Sequence, residues 1–243
     1  MRPLPALPFP MRMLWATLAL AVHVGASASA SASTSGNTLV RAQEIAQCLP
    51  QEMVTWADGR DQPAGVTSLR FALRHDDAPP WFSAAQVLGL VDRAAQAWSE
   101  CGLAIKVELL APGAAVPEAA IEVLWSDARS VGSFGQAHLR SRVLALGPAA
   151  FHLLKARNPT HPALDTLQMV LSHEMGHFFG LLAHSRRCVD VMSYYDNSRG
   201  ERCFTRDGQP PVGRNDYRAL LPTSCDIARC RALNQGTLVS AAP

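Results

Sequence analysis

Residues 173–184 read His-Glu-Met-Gly-His-Phe-Phe-Gly-Leu-Leu-Ala-His, and this run constrains the fold more tightly than any other in the chain. Residues four apart lie one turn above each other on an α-helix, so His173 and His177 can grip one metal ion if the stretch is helical. Glu174, held beside them, is poorly placed as a ligand but well placed to take a proton from a water that the metal acidifies. The pattern points to Zn²⁺-dependent hydrolysis of peptide bonds, with Glu174 as general base and then acid. A catalytic zinc also needs a third protein ligand and one open position. Gly180 can end the helix in the left-handed conformation and turn the chain back under the metal, which makes His184 the nearest candidate. Asp190, Asp196 and Glu201 are acidic alternatives, and any of them would define a zinc hydrolase with a carboxylate as third ligand.

The chain upstream supplies a scaffold for such a helix. Thr67 to Arg74 alternates as a strand does. Ser83 and Gln86 form a capping box, with Phe82 and Val87 as the matching staple, ahead of a helix whose stripe is Val87, Val91, Ala94 and Trp98 and whose stop is Cys101-Gly102. Leu103 to Leu109 and Ile121 to Trp125 alternate as half-buried strands, and Gly135 to Arg140 and Arg142 to Leu146 read as two short ones. Pro162 opens the helix that carries the histidines, with Asp165 in its first turn and Leu164, Leu167, Leu171 and Phe178 toward the core. Short helical pieces are expected at Ala219 to Leu221 and Cys225 to Ala232. His75, His138, His152 and His161 show no ligand spacing and are left unassigned.

The N-terminus reads as an export signal. Arg2 and Arg12 flank the start, an apolar run spans Leu14 to Val24, and small residues follow to Ala30. That run is far short of the ~20 residues that span a bilayer, so a secreted or periplasmic protein without a membrane anchor is expected. Residues 1–30 are then the signal peptide, 31–47 a flexible leader and 48–243 one catalytic domain, an ordinary length for a single core. The formal charge is +2 and the arginines are scattered, which excludes a nucleic-acid groove. The expected partner is a peptide or protein substrate, and the expected state a monomer. Six cysteines in an exported chain point to three disulfides, with 15 pairings open. Cys48, in Gln47-Cys48-Leu49-Pro50, matches no latency motif and is expected in one of them.

The run from His173 resembles the metzincin zinc metalloproteases, whose pattern is H-E-x-x-H-x-x-G-x-x-H, and His177 to Leu181 looks most like their bacterial matrixin-type members. Here His184 stands one residue later than the pattern's third histidine. Val191-Met192-Ser193-Tyr194-Tyr195 is similar to the clan's methionine turn, a hydrophobic floor beneath the zinc ligands. The resemblance implies an α+β single domain, a twisted mixed sheet with two long helices, the second carrying the zinc motif. It also implies a role for Tyr194, since a tyrosine two residues past that methionine donates to the oxyanion in the astacin-like and serralysin-like branches. Cys188 and Cys203 flank the turn, and a bridge between them would hold the floor in place.

Overall fold

The structure is a computed structural model that describes residues 38–194, 199–208, 211 and 217–238. The expected signal peptide, residues 31–37 of the leader, Tyr195 and Asp196 lie outside them. Five strands form one sheet: β1 (Ser68–Leu73), β2 (Ala104–Leu109), β3 (Ile121–Trp125), β4 (Gly135–His138) and β5 (Val143–Leu146). Their spatial order is β2-β1-β3-β5-β4, parallel throughout except for β4, which runs antiparallel on the edge beside β5. The helical elements are α1 (residues 38–46), α2 (Ala84–Ser99), the single turn α3 (Asp127–Ser130), α4 (Pro148–Arg157), α5 (Ala163–Phe178) and α6 (Ser224–Leu238). The mixed sheet and the long helices α2 and α5 agree with the sequence reading, but α6 is a third long helix that the reading did not include.

The capping box closes as its spacing requires: Ser83 Oγ accepts from the Gln86 N–H, and Gln86 Oε1 accepts from the Ser83 N–H. The stripe behind it, Val87, Val91, Ala94 and Trp98, is wholly buried. Trp98 then joins α2 to α5, donating its indole N–H to the Ser172 carbonyl at 2.9 Å and stacking on Phe179. Between α5 and the sheet, Phe178 meets Phe71 of β1 edge to face, while Leu167 and Leu171 sink into the same core. Leu164 does not join them. It is 38% exposed at the first turn of α5, where the helix has not yet reached the sheet.

Three further differences have physical causes. The expected leader is helical from residue 38 and belongs to the domain: Glu44 is fully buried, its carboxylate accepts from the Arg206 N–H and the Tyr217 hydroxyl, and Arg41 donates to the carbonyls of Tyr217 and Arg218. These partners lie more than 160 residues away, so nothing near the segment announces them. Of the two short pieces expected near the C-terminus only the second forms, within the longer helix α6, which is started by a capping box in which Thr223 Oγ accepts from the Asp226 N–H and Asp226 accepts from the Thr223 N–H. Residues 219–221 are not helical, because Ala219 spends its N–H on the Val189 carbonyl. Finally α4 has a single buried residue, Phe151, so it lacks the apolar periodicity by which helices are read.

All six cysteines pair, as Cys48–Cys225, Cys101–Cys230 and Cys188–Cys203. The first two tie the N-terminal segment and the end of α2 to α6. The third is the expected bridge. Cys188→Ala with Cys203→Ala is expected to cost about 3 kcal/mol, the chain-entropy value for a loop of about fifteen residues. Urea unfolding measures it, and a midpoint unchanged from the parent would refute the anchoring role. No helix among the described residues is long and apolar enough to cross a membrane.

Candidate metal centre

His173 and His177 occupy the last two turns of α5, their ring centroids 5.1 Å apart. The helix then stops in a full Schellman closure, with the Leu181 N–H on the Gly176 carbonyl and the Gly180 N–H on the His177 carbonyl. Gly180 has φ +97°, and a Cβ there would stand 1.9 Å from the Gln62 carbonyl oxygen, so both conformation and space demand glycine. The chain that emerges is held along its length by residues 56–62. Gln62 donates to the Gly180 carbonyl and Trp56 to the His184 carbonyl, while Asp61 accepts from the Ala183 N–H and Asp58 from the His184 N–H. Arg229 of α6 braces the same corner by donating to both Asp61 and the Ala183 carbonyl. Between these clamps the one residue in excess of the metzincin spacing is absorbed, and His184 stacks over His173 at 5.1 Å.

The three imidazoles converge with ligand atoms all within 4.8 Å of one another. Their tautomers follow from their partners. His173 Nδ1 lies 2.7 Å from the Val191 carbonyl and His177 Nδ1 2.8 Å from the Leu181 carbonyl, and a carbonyl can only accept, so both Nδ1 atoms carry the proton. His184 Nδ1 lies 2.8 Å from Asp58 Oδ2. Burial opposes the charge on Asp58, but the hydrogen bonds from His184 hold its carboxyl below the usual range, so it too accepts. All three Nε2 lone pairs therefore face one another, and those of His173 and His184 are only 3.2 Å apart with no proton between them. Two lone pairs at that distance repel unless a cation stands between them. Tetrahedral ligation at the usual Zn–N length sets nitrogens about 3.3 Å apart, so the site fits a zinc ion. Burial, and then the neighbouring imidazoles, keep His173 and His184 neutral, His184 being pushed down to about 4; burial lowers His177 as well. Neutral imidazoles bind a metal without first losing a proton.

Glu174 points toward β4, where the Ala137 N–H donates to it. Burial lifts its carboxyl to about 7, against the pull of that N–H and of Arg218. Met192 is fully buried directly beneath the helix: a Cβ on Gly176 would fall 2.3 Å from its sulfur, so the floor expected from the methionine turn presses on α5 where only glycine fits. The Tyr194 ring stacks on His184 with centroids 3.8 Å apart, and its hydroxyl is hydrogen-bonded to Asp58, so the side chain braces the third histidine.

Of the acidic alternatives, Asp190 is excluded. It is 1% exposed, and its oxygens accept from Arg187, Thr223 and Ser185 in a cluster behind the loop. Glu201 is exposed and joins no metal-holding group among the described residues, and Asp196 lies outside those residues. Cys48, Glu52 and Cys225 also cluster, but the disulfide between the two cysteines removes the thiolates that a metal would need. His138 gives its Nε2 to the Arg129 carbonyl.

Sequence reading passed over Asp58 and Asp61, which lie more than 120 residues from the loop they hold; Asp58-Gly59 reads locally as a turn. Asp58→Asn is expected to weaken metal binding 10- to 100-fold. The amide has one acceptor where the carboxylate has two, and an NH₂ facing His184 Nδ1 drives that ring's proton to Nε2, where it blocks ligation. A competition titration against a chelator of known affinity measures this, and an unchanged constant would show that His184 needs no such partner.

No protein-family model and no curated protein matches the chain. Solved structures to which it is similar include the GM1-bound form of the ECX AB5 holotoxin, at 13% identity, covering 77% of this chain and 91% of that one with a TM-score of 0.40. Another is archaemetzincin (amzA) from Methanopyrus kandleri, at 18% identity, covering 71% of this chain and 97% of that one, also with a TM-score of 0.40. Likeness of that degree assigns neither fold nor function.

Proposed function

We propose that this chain is an exported zinc-dependent endopeptidase of metzincin type. One observation carries the reading: three neutral imidazoles, each with its Nδ1 proton donated away, turn their Nε2 lone pairs on one point beside a buried carboxyl that titrates near 7. His173, His177 and His184 hold the ion. A bound Zn²⁺ supplies Lewis acidity, polarising the scissile carbonyl and bringing a water toward a pKa of about 7. Glu174 accepts the proton of the attacking water at its carboxylate and delivers it to the leaving amine. Edge strand β4 shields Glu174 from bulk water, Met192 fixes the height of α5, and Tyr194 with Asp58 orients His184. The matrixin-like grouping rests on His177 to Leu181 alone.

The three disulfides favour an oxidising compartment, in keeping with the export signal read at residues 1–30. The substrate is a peptide or unfolded protein, and the working unit a monomer. A catalytically silent secreted binding module on a protease fold is the alternative suggested by the later position of His184, and the convergence of His184 with His173 and His177 favours the peptidase over it. Denatured casein incubated with purified protein tests the reading. Cleavage that stops with a chelator and returns on adding Zn²⁺ is expected, and intact casein under all three conditions would refute it.

A further inference from the structure

Val191 links the metal centre to α6. Its carbonyl accepts the Nδ1 proton of His173 at 2.7 Å, its N–H donates to Asp226 Oδ2 at 2.9 Å, and the residue that follows is Met192, the floor of the site. One residue has only two soft dihedrals, so whatever fixes the Val191 N–H also fixes the carbonyl that keeps the His173 proton off Nε2. Asp226 is that anchor. It is fully buried in the first turn of α6, beside the Cys48–Cys225 bridge, and the same Oδ2 accepts from the Thr223 N–H at 3.0 Å.

The surroundings of Asp226 decide its charge. Oδ2 takes every hydrogen bond, while Oδ1 is buried with no partner among the described residues, a costly state for a carboxylate. The acid that faces it is Asp190, and the Thr223 hydroxyl stands between the two, 2.6 Å from Asp190 Oδ1 and 3.1 Å from Asp226 Oδ2. A hydroxyl has one proton to donate, and the shorter distance gives it to Asp190. The longer contact is then a hydrogen bond only if Asp226 brings a proton of its own. The cations nearby are directed elsewhere. Arg187 faces Asp190, Glu52 and the Glu44 carbonyl, and Arg229 donates to Asp61 and the Ala183 carbonyl. Burial, and then Asp190, raise the Asp226 carboxyl to about 7, against the two N–H groups and the charge of Arg229. We infer that Asp226 is a positioning residue of the metal centre: as an uncharged acid it fixes Val191, and through the Val191 carbonyl it keeps the His173 proton on Nδ1 and leaves Nε2 free for the metal. The inference rests on the peptidase reading only in taking His173 as a zinc ligand.

Titration of zinc against a competing chelator at pH 6 compares the full chain with three variants. Asp226→Ala, which leaves the Val191 N–H without its acceptor, is expected to weaken zinc binding about tenfold, the lower end of what loss of an outer partner costs. Asp226→Asn keeps an oxygen for that N–H and removes only the charge, so its affinity should stay within threefold of the parent. Asp190→Ala separates position from stability: it strips Arg187 of its closest carboxylate but leaves the Val191 N–H held, so its affinity should match the parent. Urea unfolding of the metal-free protein reads the charge. The folded state keeps a proton on Asp226 that the unfolded state releases between 3.8 and about 7, so the parent loses stability as pH rises through that window. Asp226→Asn should therefore gain on the parent between pH 4 and pH 8. Parental affinity in Asp226→Ala, or a loss in Asp226→Asn as large as in Asp226→Ala, overturns the inference. So does a stability difference between Asp226→Asn and the parent that is the same at both pH values. If Asp226→Ala does not fold, Asp226→Asn decides alone: parental affinity with the gain at pH 8 upholds the inference, and a tenfold loss or no gain overturns it. A parent that binds zinc and cleaves no peptide sinks the peptidase reading and leaves these outcomes in force, whereas a parent that binds no zinc ends both.

Discussion

Glu174→Gln is expected to keep the metal and to lose hydrolysis by at least about 10³-fold. The substitution preserves shape and leaves all three imidazoles and their Nδ1 partners untouched, so metal content should stay at one ion per chain. It removes the buried carboxyl that burial raises to about 7 and that can therefore exchange a proton near neutral pH, and general-base catalysis of this kind is worth about 10² to 10⁴ in rate. The same variant has a signature without substrate. In the metal-free protein, burial raises the Glu174 carboxyl from 4.5 to about 7, so between those values the folded state binds a proton that the unfolded state has lost. Stability therefore falls as pH rises through that window, by up to about 3 kcal/mol once pH exceeds 7. Glutamine abolishes this term. Metal-free Glu174→Gln should then melt above the parent at pH 8 and with it at pH 4. Zinc content that fell in step with activity would mean that Glu174 is a ligand, and equal melting at both pH values would mean that its burial costs nothing.

What could be read in the sequence was whatever local spacing dictates. The i, i+4 histidines, the Ser83 capping box, the alternation of β1, β2 and β3 and the glycine stop at Gly180 each depend on residues within one or two turns of each other. Cys188 and Cys203 belong here too, because the loop between them is short. The parts that escaped are those whose partners are remote. Residues 38–46 fold as a helix because Glu44 and Arg41 find Arg206, Tyr217 and Arg218, and residues 56–62 matter because they run along the loop from Gly180 to His184. Leu164 shows the same limit from the other side. Its position on the helical stripe is right, but exposure depends on where the sheet ends. The extra residue before His184 was an obstacle in the sequence only because the clamp that accommodates it could not be seen.

His184→Ala is expected to lower metal affinity by at least about 100-fold, beyond what loss of an outer partner costs, and to abolish turnover with it. The argument turns on the order in which the site is held. His173 and His177 share one rigid helix, whereas His184 reaches them only through the loop fixed by Asp58, Asp61 and Arg229, so its imidazole closes a site that the helix leaves half built. Removing it leaves two nitrogens, too few to hold zinc against water or a chelator. The fold should survive, because the backbone bonds of the clamp remain and what is lost is the His184–Asp58 side-chain bond, worth about 1–2 kcal/mol, together with the Tyr194 stacking contact. Asp190→Ala should do the reverse. Arg187, fully buried, loses its closest carboxylate, so stability should drop by about 3 kcal/mol or more while the folded molecules still bind metal. Glu201→Ala should leave metal affinity as in the parent. Titration of zinc against a competing chelator below the melting temperature of each variant, paired with urea unfolding of the metal-free protein, separates these outcomes. Zinc bound at parental affinity in His184→Ala but lost in Asp196→Ala would make a carboxylate the third ligand, and the metzincin reading would give way to a zinc hydrolase of the acidic-ligand kind.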